Sequence, residues 1–208
     1  MEEYRRVYDG LEIPGITIRR GVEFGLTRWN SPYLTALTAE YPFDFVLGSV
    51  HFVDGVDPYE PRYWHDRTVH EAFWAYLQEV YQCLLCHDGF DVLGHLTYVC
   101  KSVHNPSHGP VPLAEHRELT DEILKLLVKK GKGLEVNTSG VDRAGAFLPD
   151  ASFLRRFREL GGQIVTVGSD AHDPSRVGQY APQAMQMLQD IFGHVCTYEN
   201  RQPVFHKL

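Results

Sequence analysis

The sequence predicts an α/β fold in which parallel strands, each followed by a helix, build one domain with its chemistry at the C-terminal ends of the strands. Three observations predict it. Apolar, β-like runs alternate with stretches of helical period, the order that parallel βαβ units require. Four of those runs, ITIRRGVE, FVLGSVH, FDVLGH and IVTVGSDAH, end in a carboxylate or an imidazole. No linker, low-complexity tract or charge block divides the 208 residues, so a single domain spanning 1–208 is expected.

In chain order, the first strand is read at Ile16 to Glu23, followed by a polar turn and a short helix around Tyr33 to Ala39, with Ser31 before Pro32 as its start signal. A strand from Phe45 to His51 leads into an Asp-, Pro- and Tyr-rich loop, Asp54 to Arg67, long and aromatic enough to be a lid or a substrate wall. A helix follows from Val69 to Cys86, with Phe73, Tyr76 or Leu77, Val80 and Leu84 on one side. Asp91 to His95 is a short buried run. Lys101 to Pro112 has no period and reads as an irregular loop. A helix from Leu113 to Lys130 ends at Gly131 and Gly133, and the strand Gly133 to Asn137 gives way to the turn TSG. Asp150 or Ser152 caps a helix that stops at Gly161 and Gly162. IVTVGSD is the most strand-like run, QYAPQAMQMLQDIFG holds the last helix, and HVCTYENRQPVF closes the chain.

Composition narrows the function. The formal net charge of −7 argues against a nucleic-acid backbone as partner, which needs clustered Lys and Arg. The start, MEEYRRVYDG, has no apolar run of signal-peptide or membrane-span length, so a cytoplasmic protein without a membrane partner is expected, with its four cysteines as thiols. Cys83, Cys86 and His87 spell C-x-x-C-H, the haem-attachment pattern. Their helical spacing instead places the thiols on or near a buried helix face. G-x-S-x-G, P-loop, H-E-x-x-H and strand-associated G-x-G-x-x-G motifs are absent.

The eleven histidines point toward metal chemistry. Glu23 lies in an apolar strand between glycines, where a carboxylate must be paired, hydrogen-bonded or metal-bound. His51 and His95 each end a strand shortly after a glycine, and one Glu with two His is a common ligand set for zinc and related ions. Asp170 and His172 share a face if the strand stays extended to its end. Glu135 and Asn137 share a face on LEVN and can orient a ligand from behind. Lys101, Arg143 and Arg176 lie in loops after ligand-bearing strands and can hold phosphate oxygens. His65, His70, His104, His108, His116 and His206 sit in polar or Pro-containing stretches and read as solvated.

The ordered set GVEFGL, DFVLGSVHF, DVLGHLTYVCK, LEVNTSG, VTVGSDAH and TYENRQPVF, from about residue 15 to the end, resembles the histidinol-phosphate phosphatases of the polymerase-and-histidinol-phosphatase (PHP) family. The resemblance implies a distorted seven-stranded, TIM-like β/α barrel with up to three divalent ions, zinc, manganese or iron, at its mouth. It implies that Glu23 bridges metals, that His51 and His95 share one with it, and that Asp170 and His172 complete the neighbouring, catalytic positions. The expected reaction is hydrolysis of a small phosphomonoester, histidinol phosphate first, by an activated water in histidine biosynthesis. Other small phosphate esters, or a metal-holding remnant with little activity, are the alternatives. Family members carry an H-x-H on the first strand, and none precedes Glu23 here. The resemblance therefore implies a barrel short of about two N-terminal strands and about four ligands, fewer ions, an internal origin for Met1, and exposed edges that invite a homo-oligomer.

Overall fold

Alternating buried strands and amphipathic helices produce a parallel sheet with a helical layer, described by a computed structural model over residues 1–208. The elements are α1 (Glu2–Tyr8), β1 (Gly21–Gly25), α2 (Ser31–Glu40), β2 (Phe45–Ser49), α3 (Pro61–Trp64), α4 (Val69–Cys86), β3 (Val92–Leu93) and α5 (Arg117–Lys129). They continue with β4 (Gly133–Asn137), α6 (Val141–Ala144), α7 (Ala151–Glu159), β5 (Val165–Gly168), α8 (Ala181–Ile191), β6 (His194–Glu199) and β7 (Gln202–Lys207). Strands β1 to β5 form a five-stranded sheet in sequence order, every neighbouring pair parallel. The sheet is open, with β1 and β5 at its edges, and β6 and β7 form a separate antiparallel hairpin.

The parallel order puts all five C-terminal strand ends on one side, here called the mouth. It also puts all the returning helices on the connections between strands. α4 is the clearest case. Thr68 caps it, accepting from the Glu71 N–H while the Glu71 carboxylate accepts from the Thr68 N–H, a reciprocal capping box. Its buried side, Phe73, Tyr76, Leu77, Val80, Cys83 and Leu84, enters a continuous core of 37 residues. Each fully buried large side chain there contributes about 1.5–3 kcal/mol, so this face alone fixes α4 against the sheet.

The structure corrects several boundaries. The first strand begins at Gly21, not Ile16, because Ile13 and Ile16 form only an isolated bridge and Ile16 stays exposed. The Asp54–Arg67 loop contains α3, and a 3-10 turn (Leu113–His116) precedes α5. Cys86 is exposed at the end of α4, unlike Cys83, because it falls off the buried face. His116, read as solvated, is buried at 1% exposure under the ring of Phe73. No helix is long and apolar enough to cross a membrane.

Candidate metal centre

Three strand ends converge at the mouth. Glu23 points up from β1, His51 follows β2 by two residues, and His95 follows β3 by two. His95 Nε2 lies 3.0 Å from Glu23 Oε1 and 3.1 Å from His51 Nε2, and His51 Nε2 lies 3.4 Å from the same Glu23 oxygen. Two imidazole nitrogens and one carboxylate oxygen therefore face a common point. Ligands on one tetrahedral zinc at bonds of about 2.0–2.1 Å sit about 3.3 Å apart. The observed triangle matches that spacing, so the donor set fits a divalent ion without rearrangement.

Burial would push the Glu23 carboxyl up, but hydrogen bonds from His51 and His95 outweigh it and hold Glu23 well below the usual carboxylate range. Burial pushes the His95 imidazole down, yet the bond to Glu23 and the nearby Glu135 charge raise it overall. Glu23 is more open than the sequence implied, at 36% side-chain exposure, because β1 is an edge strand. His95 is closed in.

The support beneath His95 comes from β4. Glu135 Oε2 accepts the His95 backbone N–H at 2.9 Å and a bond from Asn137 Nδ2 at 3.1 Å. Glu135 thus holds the backbone of His95, which has φ of 20°, and not its ring. The ring's Nδ1 is buried and has no partner, so its orientation comes from packing against Tyr98 and His51, with ring centroids 5.0 and 4.9 Å away. Two glycines make room: a Cβ on Gly94 would collide with Ser49 Oγ, and one on Gly168 with Glu135 Oε1.

Asp170 enters from beyond β5. The strand ends at Gly168 and Asp170 adopts a left-handed φ of 48°, so Asp170 and His172 do not share a face by strand alternation. They meet around a turn instead, with His172 Nε2 3.3 Å from Asp170 Oδ1 and the imidazole 91% exposed. Lys101 Nζ donates to Asp170 Oδ2 at 2.7 Å. Burial would raise the Asp170 carboxyl, and the Lys101 ammonium more than offsets this and lowers it. The Ser139 hydroxyl lies 2.6 Å from Asn137 Oδ1 and 3.2 Å from Asp170 Oδ2, linking the β4 network to Asp170. Ser139 was not singled out in the sequence; its only signal is its place in the TSG turn at the end of β4.

A cavity of about 530 Å³ opens over this group. Glu23, His51, Asp170 and His172 line it, as do the three cations expected near phosphate, Lys101, Arg143 and Arg176. Arg176 donates to Asp142 at 2.8 Å, so its charge is partly balanced, whereas Arg143 is exposed. Tyr59, from the long loop, and Tyr98 supply an aromatic wall, with ring centroids 5.3 Å apart. Burial pushes the Tyr59 hydroxyl up to about 12, so it stays a neutral donor near pH 7.

The family model for the PHP domain matches residues 1–139. The chain belongs to the PHP domain family. The matched segment contains Glu23, His51, His95, Lys101, Glu135 and Asn137, while Asp170 and His172 lie beyond it. The PHP chain is 30% identical over 187 residues to the "Probable histidinol-phosphatase" of Clostridium acetobutylicum, covering 89% of this chain and 69% of that one. It is 30% identical over 167 residues to the "Histidinol-phosphatase" of Lactococcus lactis, covering 77% and 60%. It thus spans between three-fifths and seven-tenths of the length of these two relatives. The crystal structure of histidinol phosphate phosphatase from Lactococcus lactis, solved with zinc, L-histidinol and phosphate, superposes with a TM-score of 0.77 at 23% identity, covering 98% of this chain and 76% of that one. That likeness is one of fold.

Proposed function

We propose that this PHP-domain chain is a metal-dependent phosphomonoester hydrolase acting on histidinol phosphate, with its strands forming part of a PHP-type β/α barrel. The observation that carries the reading is the Glu23, His51 and His95 triangle set at one wall of a cavity that also presents Lys101, Arg143 and Arg176. Related chains named for histidinol-phosphatase supply the substrate class.

A divalent ion held by Glu23, His51 and His95 would supply Lewis-acid polarisation of the phosphoryl group and a water of lowered pKa. The remaining work falls to the chain's own groups. Lys101 and Arg143 neutralise the phosphate oxygens, and Asp142 keeps Arg176 turned toward the same volume. Asp170, kept ionised by Lys101, holds the exposed imidazole of His172 at the rim, where His172 can give a proton to the departing alkoxide. Tyr59 and Tyr98 form a wall against which a flat imidazole group of a substrate can pack.

The test is phosphate release from histidinol phosphate by protein loaded with zinc, manganese or iron, beside the His51→Ala variant. Release well above the variant supports the proposal. Faster release from another small phosphate ester would reassign the substrate. Tight metal binding without release from any ester would make the chain a metal-holding protein with no turnover.

A further inference from the structure

A second group of metal-type ligands lies outside the cavity. His70 stands in the first turn of α4, and Glu115 and His116 lie on the 3-10 turn that enters α5. Their ligand atoms all fall within 4.8 Å of one another, with His70 Nδ1 3.8 Å from Glu115 Oε2. None of the three lines the cavity at the mouth.

His116 is the informative member. It is 1% exposed, yet neither Nδ1 nor Nε2 has a hydrogen-bond partner. A buried imidazole normally satisfies at least one ring nitrogen. Phe73 packs edge-on against it, and the His70 ring covers its other side at a centroid distance of 4.5 Å and an interplanar angle of 17°. Those stacked rings do not yet aim their lone pairs at one point. His70 and Glu115 are both more than half exposed, however, so each can swing without disturbing the core. His116 cannot move and supplies the fixed nitrogen.

We propose that His70, Glu115 and His116 form a second site for a divalent transition metal, zinc by its donor set of two imidazoles and one carboxylate. The ion takes up the orphaned nitrogen of His116 after His70 rotates out of the stack, and water fills the remaining positions. Its place tells its role. It ties the start of α4 to the start of α5, the helices that flank β3, next to the loop whose Trp64 packs on Phe73 and whose Tyr59 lines the cavity. The site is a staple behind the cavity wall, independent of the reaction assigned to the mouth.

Zinc stoichiometry by equilibrium dialysis of the whole chain tests it. The double variant His70→Ala, Glu115→Gln changes only exposed side chains and leaves the buried His116 in place, so it is expected to fold. It should hold one zinc fewer than the parent and show a smaller rise in melting temperature on zinc addition. The His51→Ala variant should lose a different equivalent, so removing both sets should remove both. An unchanged zinc count and an unchanged zinc-induced melting shift in the His70, Glu115 variant would overturn the proposal, whatever happens at His51.

Discussion

The two ends of the sheet use the same residue types for opposite purposes. At the end away from the mouth, the buried carboxylates of Asp44 and Asp91 are satisfied. Asp44 accepts the backbone N–H of Arg20 at 2.9 Å and of Asn200 at 3.0 Å. Asp91 accepts the Val46 N–H at 2.8 Å and Arg201 Nε at 2.5 Å, and Arg201 also donates to the Gly89 carbonyl at 2.6 Å. These bonds clasp the β6–β7 hairpin to the starts of β2 and β3. At the mouth, Glu23, His51 and His95 bond to one another and their ligand atoms converge on one point. Carboxylates paired with backbone and guanidinium donors hold a fold together; a carboxylate and two imidazoles whose ligand atoms converge on one point can also hold a cation.

The sharpest way to break that contrast is to exchange outcomes between the ends. Replacing Glu23 by Gln or His51 by Ala should abolish metal binding at the mouth and lower phosphate release by about 10²–10³-fold, the several kcal/mol a bound ion contributes to a transition state. Melting in metal-free buffer should barely change, because both side chains are partly open. Arg201→Ala should do the reverse. It leaves the buried Asp91 carboxylate without its cation, at a cost of about 3 kcal/mol in urea unfolding. Metal affinity of the folded fraction should be untouched.

Smaller effects sharpen the picture. Lys101→Met removes the donor to Asp170 and a cation from the cavity, so KM for the phosphate ester should rise about tenfold, the scale of one charge-assisted hydrogen bond, with some loss of stability because the largely buried Asp170 carboxylate keeps no cation. The smallest effect concerns acid. Burial pushes the Asp44 carboxyl up, but the N–H groups of Asn200 and Arg20 outweigh it and hold it below the usual range. A depressed folded value means this stabilisation is present above the unfolded value near 3.9 and is lost as pH falls through the folded value. Asp44→Asn should therefore flatten the decline of stability below about pH 4 while lowering stability at pH 7.

What the sequence disclosed follows the range of the forces involved. Val69–Cys86 was legible because helical period and buried face agree within one segment. Gly133–Asn137 was equally clear, bounded by glycine and a polar turn. Helix α1 escaped notice because it buries no residue, so it leaves no apolar stripe to read. The tail hairpin turns through Asn200 and Arg201, both at positive φ, and arginine gives no turn signal. At the mouth, residue types at strand ends pointed to Glu23, His51, His95 and Asp170. The path from Glu135 through Asn137 and Ser139 to Asp170 depends on distances between β4 and the loop after β5, which one-dimensional spacing does not carry. His116 was misread because its polar neighbours conceal that the turn folds it inward.

The most direct test of the central claim is zinc affinity at the mouth, measured by calorimetry on metal-stripped protein and on its Glu23→Gln and His51→Ala variants. Three ligand atoms converging on one point predict a tight binding event in the parent that both variants lose. A parent and variants that bind zinc alike would show that the three strand ends merely satisfy one another.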